Sequence, residues 1–239
     1  MTTTPGKRAA SRERILDAAA AAFRARGFAA TGVDAVMTAA GLTHGGFYAH
    51  FTSKNDLLRA AVQHSARPQG NAMFAAVAHL TGAAFIAATI TRYLSMAHRD
   101  HPETGCPLPT IAAEIPRLDP ELTPAVSVPM ASLARLVERH LPGPAVTARA
   151  RAQALVALLI GGVVTARALP TAQARAWLAS CRGAARAIAG IADGEGFSEG
   201  FSEGFSDDIG DDSDADAHDR RAAQAVDAGK NTSQFAEKP

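Results

Sequence analysis

Residues 39 to 57 read Ala39-Ala-Gly-Leu-Thr-His-Gly-Gly-Phe-Tyr-Ala-His-Phe-Thr-Ser-Lys-Asn-Asp-Leu57, and their pattern decides the architecture. Gly41 permits a tight turn, Leu42 plugs the space between two short helices, and Phe47 and Phe51 recur four residues apart on one face of the second. Before the turn, a helix starting after Thr31 and Gly32 places Val33, Val36, Met37 and Ala40 inward. After it, Ser53 is an N-cap residue for a helix from Lys54 with Leu57, Leu58, Ala61 and Val62 inward. Further out, a first helix is expected from Ser11 with Ile15, Leu16, Ala19, Ala22 and Phe23 on its core face, ending at Gly27. Four helices thus fit in fewer than 70 residues.

The remaining chain supports an all-α fold. Of its 239 residues 55 are alanine and only 5% are aromatic, a composition of close-packed helices rather than sheets. Pro and Gly punctuation divides the middle into helices expected at 71–80, 83–99, 107–115, 120–141, 145–169 and 171–189. The formal net charge of +1 is a cancellation: residues 1–192 carry +10 and residues 193–239 carry −9. That acidic segment holds three Gly-Phe-Ser-acid units and is expected to be a disordered tail, as residues 1–10 are expected to be a basic flexible arm. Two cysteines cannot build a disulfide framework, and the longest uncharged apolar run, Ala154 to Val164, is shorter than a membrane span. A cytoplasmic location with no membrane partner follows as an expectation. With no phosphate loop, nucleophile elbow or paired metal motif, no catalytic residue, cofactor or metal is expected.

Two short helices about a Gly turn form a helix-turn-helix, whose second helix enters the major groove of DNA. Its outward positions, Thr43, His44, Gly45, Gly46, Tyr48 and His50, are the candidate DNA contacts, together with Thr31 and with Lys54 as a phosphate ligand. The run from Arg14-Ile-Leu-Asp-Ala-Ala through Arg26-Gly-Phe and Thr31-Gly-Val to Gly-Phe-Tyr-Ala-His-Phe-Thr-Ser-Lys-Asn-Asp-Leu57 resembles the N-terminal domain of the TetR/AcrR family of bacterial regulators. The resemblance implies a DNA-binding domain at 11–58 and a helical effector and dimerisation domain at 59–192. It also implies a homodimer, a double-stranded DNA operator and a small-molecule effector. The Gly105-Cys106 pair looks like a subgroup of that family.

An apolar effector pocket is expected among the middle helices, with Phe74, Phe85, Tyr93, Met96, Cys106, Ile111 and Trp177 as candidate lining. Cys106 is also a candidate for reaction with an electrophile. The helices 145–169 and 171–189 are the dimerisation candidates, because Ala157, Gly161, Gly162, Ala184 and Ala185 permit close contact. The resulting reading is a ligand-responsive repressor released from a palindromic operator by a hydrophobic or electrophilic molecule. The alternative is an architectural DNA-binding protein without effector control.

Overall fold

A computed structural model describes residues 6–65 and 72–191. The expected acidic tail at 193–239 and the arm up to residue 5 lie outside the described residues. Among those described there are helices and turns and no strand.

The first helix, α1 (Lys7–Arg26), begins four residues earlier than the Ser11 cap predicts, because Arg8 reaches across to donate to the carbonyl of Ala49 at 2.7 Å and holds the added turn. Ile15, Leu16, Ala19, Ala20 and Phe23 form its buried stripe. Gly27 ends it at φ +83. Helix α2 (Val33–Ala39) ends in a Schellman turn, in which Leu42 N–H bonds Met37 C=O at 2.9 Å, Gly41 N–H bonds Thr38 C=O, and Gly41 sits at φ +64. The recognition segment His44–Ala49 is a 3₁₀ helix rather than an α-helix, consistent with the low helix propensity of Gly45 and Gly46. Helix α3 (Lys54–Ser65) has a reciprocal cap: Asp56 N–H donates to Ser53 Oγ at 3.1 Å, and Thr52 N–H donates to the Asp56 carboxylate at 3.0 Å. α3 packs along α1, closing the core around Phe47, Phe51, Leu57 and Leu58.

The larger part comprises α4 (Ala72–Ala75), α5 (Gly82–Tyr93), α6 (Met96–Asp100), α7 (Leu108–Ile111), α8 (Ile115–Leu118), α9 (Pro124–His140), α10 (Ala145–Arg167) and α11 (Thr171–Ala189). Instead of one helix over 83–99, the chain breaks at Leu94 and restarts at Ser95, whose Oγ caps His98 N–H. The break lets His98 turn back and donate from Nδ1 to the Tyr93 carbonyl at 2.7 Å. The helix expected at 107–115 is two single turns, and Pro107 and Pro109 fit the first because their missing N–H groups fall where no intrahelical partner exists. The helix expected from 120 starts at Pro124 after a 3₁₀ turn capped by Asp119.

α10 and α11 pack on each other, with α5, α6, α7 and α9 against α10. Gly162 is closely packed inside this unit: a Cβ there would lie 2.8 Å from Leu94 Cδ2 and 3.3 Å from Cys181 Sγ, so those side-chain ends would have to shift. Gly162 and Ala185 are therefore packed within the chain, whereas Ala157, Gly161 and Ala184 face outward. α10 is long and apolar enough to cross a membrane by length and composition alone. Its buried half, with Leu155, Val156, Leu159 and Val163, packs inside this helical unit.

Candidate nucleic-acid interface and ligand cavity

The turn of the helix-turn-helix is pinned from behind. Arg14 on α1 donates to the carbonyls of Ala40 and Gly41, placing a cation at the C-terminal end of the α2 dipole. Phe47 and Phe51 are buried, with their ring centroids 5.8 Å apart, so the recognition segment is fastened through its aromatic face. The opposite face is open. Thr43, His44 and Gly45 are exposed, and Tyr48 is 68% exposed. His44 Nδ1 meets Asp34 Oδ1 on α2, and its ring meets the edge of Tyr48 at 6.1 Å. His50 is half-buried beside Phe51.

Neither recognition glycine is required by the fold. Neither has a positive φ; a Cβ on Gly45 would meet nothing within 4 Å, and one on Gly46 would touch only Met37 Cε at 3.6 Å and Thr43 Oγ1 at 3.9 Å. One expected contact, Thr31, is turned inward, and another, Lys54, is tethered to the α1–α2 loop. Thr31 is 1% exposed and donates from Oγ1 to Gly27 C=O at 2.7 Å, because the Gly27 turn presents that carbonyl to it. Lys54 is half-buried, its ammonium 4.3 Å from the Phe28 ring centroid and 3.4 Å from the Ala29 carbonyl, and burial lowers its pKa despite nearby Glu114.

Glu114, which sequence reasoning missed, receives both backbone amides of this loop: Phe28 N–H at 2.8 Å on Oε2 and Ala29 N–H at 2.7 Å on Oε1. Arg24 Nε donates to Glu103 C=O at 2.7 Å, Thr110 Oγ1 donates to Arg24 C=O at 2.8 Å, and Asn55 Nδ2 donates to Asp119 at 3.1 Å. Every one of these links from the N-terminal helices to the body falls within residues 103–119.

The start of that same segment forms one wall of a cavity of about 320 Å³. Val62 and Ser65 of α3, Phe74 and Ala75 of α4, Phe85 of α5, and Cys106, Pro107 and Leu108 line it. A stripe of α9, Pro129, Ser132, Leu133, Leu136 and His140, closes the far side. Of the expected lining, Phe74, Phe85 and Cys106 are there. Tyr93 and Ile111 are wholly buried outside the lining, Met96 packs on the core, and Trp177 is 43% exposed on the outer face of α11, one residue from the inward Leu178. The α9 stripe was legible as an i, i+3, i+4 pattern but had no cavity to be assigned to.

Cys106 is buried, and burial pushes its thiol up from the usual range, with Tyr93, Arg24 and Arg167 pulling the other way. Its backbone N–H donates to His98 Nε2 at 3.2 Å. With both nitrogens engaged and buried, His98 is neutral, its pKa pushed down to about 4. Gly105 is the residue that admits this ring, since a Cβ would lie 2.2 Å from His98 Cδ2. The Gly-Cys pair therefore marks a histidine-stapled loop beside the cavity.

An N-terminal helix-turn-helix joined to an all-helical body is an architecture of DNA-binding transcriptional regulators. Residues 15–61 match the family description "Bacterial regulatory proteins, tetR family". A TetR-family regulator from Cytophaga hutchinsonii superimposes with a TM-score of 0.63 at 22% identity, covering 79% of this chain and 98% of that one. One from Chloroflexus aurantiacus gives 0.56 at 26% identity, covering 77% and 94%. The reduced form of Escherichia coli NemR gives 0.59 at 19%, covering 74% and 96%. A search of curated proteins returned no match. The N-terminal domain thus matches the TetR family of bacterial regulatory proteins, and the described chain shares the all-helical fold of TetR-family regulators.

Proposed function

We propose that this protein is a homodimeric, ligand-responsive repressor, which binds a palindromic DNA operator in the cytoplasm and leaves it when a small apolar molecule fills the cavity. The observation that carries the DNA reading is the pair of glycines at 45 and 46, which weaken the recognition segment although nothing in the fold needs them. A backbone bare of side chains at those positions approaches phosphates and base edges closely, flanked by exposed Thr43, His44 and Tyr48. Lys54 supplies a phosphate contact by exchanging its long 3.4 Å contact with the Ala29 carbonyl for the phosphate. No catalytic residue and no cofactor enter this reading.

The dimer reading rests on an outward stripe of Ala157, Gly161 and Val164 on α10 beside Trp177 and Ala184 on α11, with Val164 45% and Trp177 43% exposed. Twofold pairing would set two recognition segments about 34 Å apart, one turn of DNA. Effector control is supported over a purely architectural role because Cys106, Pro107 and Leu108 line the cavity in the same segment that carries Glu114. A ligand that displaces this wall moves the fastening of the α1–α2 loop, and only such differential affinity can shift DNA binding. The raised thiol pKa of Cys106 keeps it protonated at neutral pH, which favours a non-covalent apolar ligand over an electrophile.

The test is a gel shift of selected operator DNA at several salt concentrations. Tyr48→Phe should weaken binding several-fold, roughly one hydrogen bond, at every salt. Lys54→Ala should weaken it and reduce the salt slope by about one unit. Unchanged affinity in both variants would remove the assignment of this face.

A further inference from the structure

We propose that the cavity takes an apolar monocarboxylate, with the carboxylate seated at the end formed by Ser65 and Cys106. The proposal rests on the cavity being the effector site and names the chemistry of its ligand.

The polar groups of the wall present donors. Ser65 is 3% exposed, and its Oγ accepts from Arg24 Nη1 at 3.1 Å. Among the described residues its own proton is given to no acceptor. Ser132 Oγ likewise accepts, from Arg135 Nη2 at 3.1 Å, leaving its O–H to give. Cys106 is held as the thiol by burial. At the far end the Gly82 amide donates to His140 Nδ1 at 3.2 Å, which makes Nε2 the protonated nitrogen of a neutral ring. That ring stacks on Phe85, centroids 4.1 Å apart at 26°.

A ligand must therefore bring acceptors. Arg24 and Arg167 decide which kind. They donate to the carbonyls of Glu103, Arg99 and His98 and to the hydroxyls of Ser65 and Thr110, and no direct ion pair to either is found among the described residues. Burial lowers the pKa of both guanidiniums, and both charges act on Cys106. Two partly desolvated cations that feel Glu103 and Asp17 only at a distance, with no carboxylate in direct contact, favour an anionic acceptor over a neutral one at this end. A carboxylate accepts and cannot donate, which matches a wall of donors. Val62, Phe74, Phe85, Leu133 and Leu136 cover the remainder with carbon, so the body of the ligand is apolar. A volume of about 320 Å³ is at the small end of ligand pockets and suits a molecule of roughly a dozen heavy atoms.

The test is isothermal titration of the full-length protein with 4-phenylbutyrate, its primary amide and butylbenzene. The carboxylate should bind at least about ten-fold more tightly than the amide, with the hydrocarbon weakest. Ser65→Ala should cost the carboxylate about ten-fold and leave butylbenzene unchanged, the latter showing that the cavity is intact. Equal binding of carboxylate and amide, or an unaffected Ser65→Ala, overturns the carboxylate class and leaves the cavity as an apolar site. Binding of none of the three overturns the effector cavity as well. If Ser65→Ala does not melt cooperatively, the wild-type carboxylate-to-amide ratio decides alone.

Discussion

Replacing Glu114 by alanine removes one carboxylate that takes two amides of the α1–α2 loop, at 2.8 Å from Phe28 N and 2.7 Å from Ala29 N. Hydrogen bonds to a charged group contribute about 1.5–3 kcal/mol each when sheltered, and the sum here is smaller. The Ala29 contact is exposed, so water replaces the lost acceptor there; the Phe28 contact is part-buried and leaves its amide poorly satisfied. A loss of about 2 kcal/mol is expected, which for a body of this size lowers the melting temperature by roughly 4–8 °C. Glu114→Gln keeps one acceptor oxygen and should lose about half as much. The second readout is coupling, the ratio of operator affinities with and without a cavity ligand. It should fall toward one in Glu114→Ala, because the loop is no longer tied to the cavity wall. Calorimetric melting followed by ligand-dependent gel shifts measures both. If both variants melt within about 1 °C of the parent and retain full coupling, Glu114 is not the fastening argued for here.

Two other expectations concern pH and assembly. His98 titrates at about 4 in the folded protein against 6.5 when unperturbed, so between those values the unfolded chain binds more protons. Stability is therefore fully present above about pH 6.5 and declines as pH falls toward 4, by roughly 3 kcal/mol in all. Urea midpoints at pH 7.5, 5.5 and 4.5 should show this fall and show it flattened in His98→Asn; parallel profiles would refute it. Val164→Arg places a charge on the outward stripe of α10 and should convert a dimer to monomers in sedimentation velocity, with a fall in operator affinity. A dimer of undiminished stability would move the interface elsewhere.

The helix-turn-helix was legible because each of its determinants is local. The Gly41 turn, the Ser53 cap and the Phe47 and Phe51 spacing are set within five residues, and the structure has all three. The break at Leu94 was not legible, since 83–99 has uninterrupted helical character. The break coincides with His98 turning back onto the Tyr93 carbonyl while accepting from Cys106, in space that Gly105 leaves free. Trp177 reads as pocket lining because it is large and apolar; which side of α11 is inward depends on where α5 and α10 lie.

By itself the sequence determined the all-helical class, the recognition face and the division of charge between a basic body and an acidic end. Helical periodicity, turns and caps act over a few residues, and composition needs no partner at all. Only the tertiary structure decided that Glu114 grips a loop 85 residues away. It alone assembled the cavity from α3, α4, α5, the start of α7 and α9, placing Ser65 between Arg24 and that space. Such contacts arise where separate helices are brought together by burial of their apolar faces, and burial is indifferent to distance along the chain.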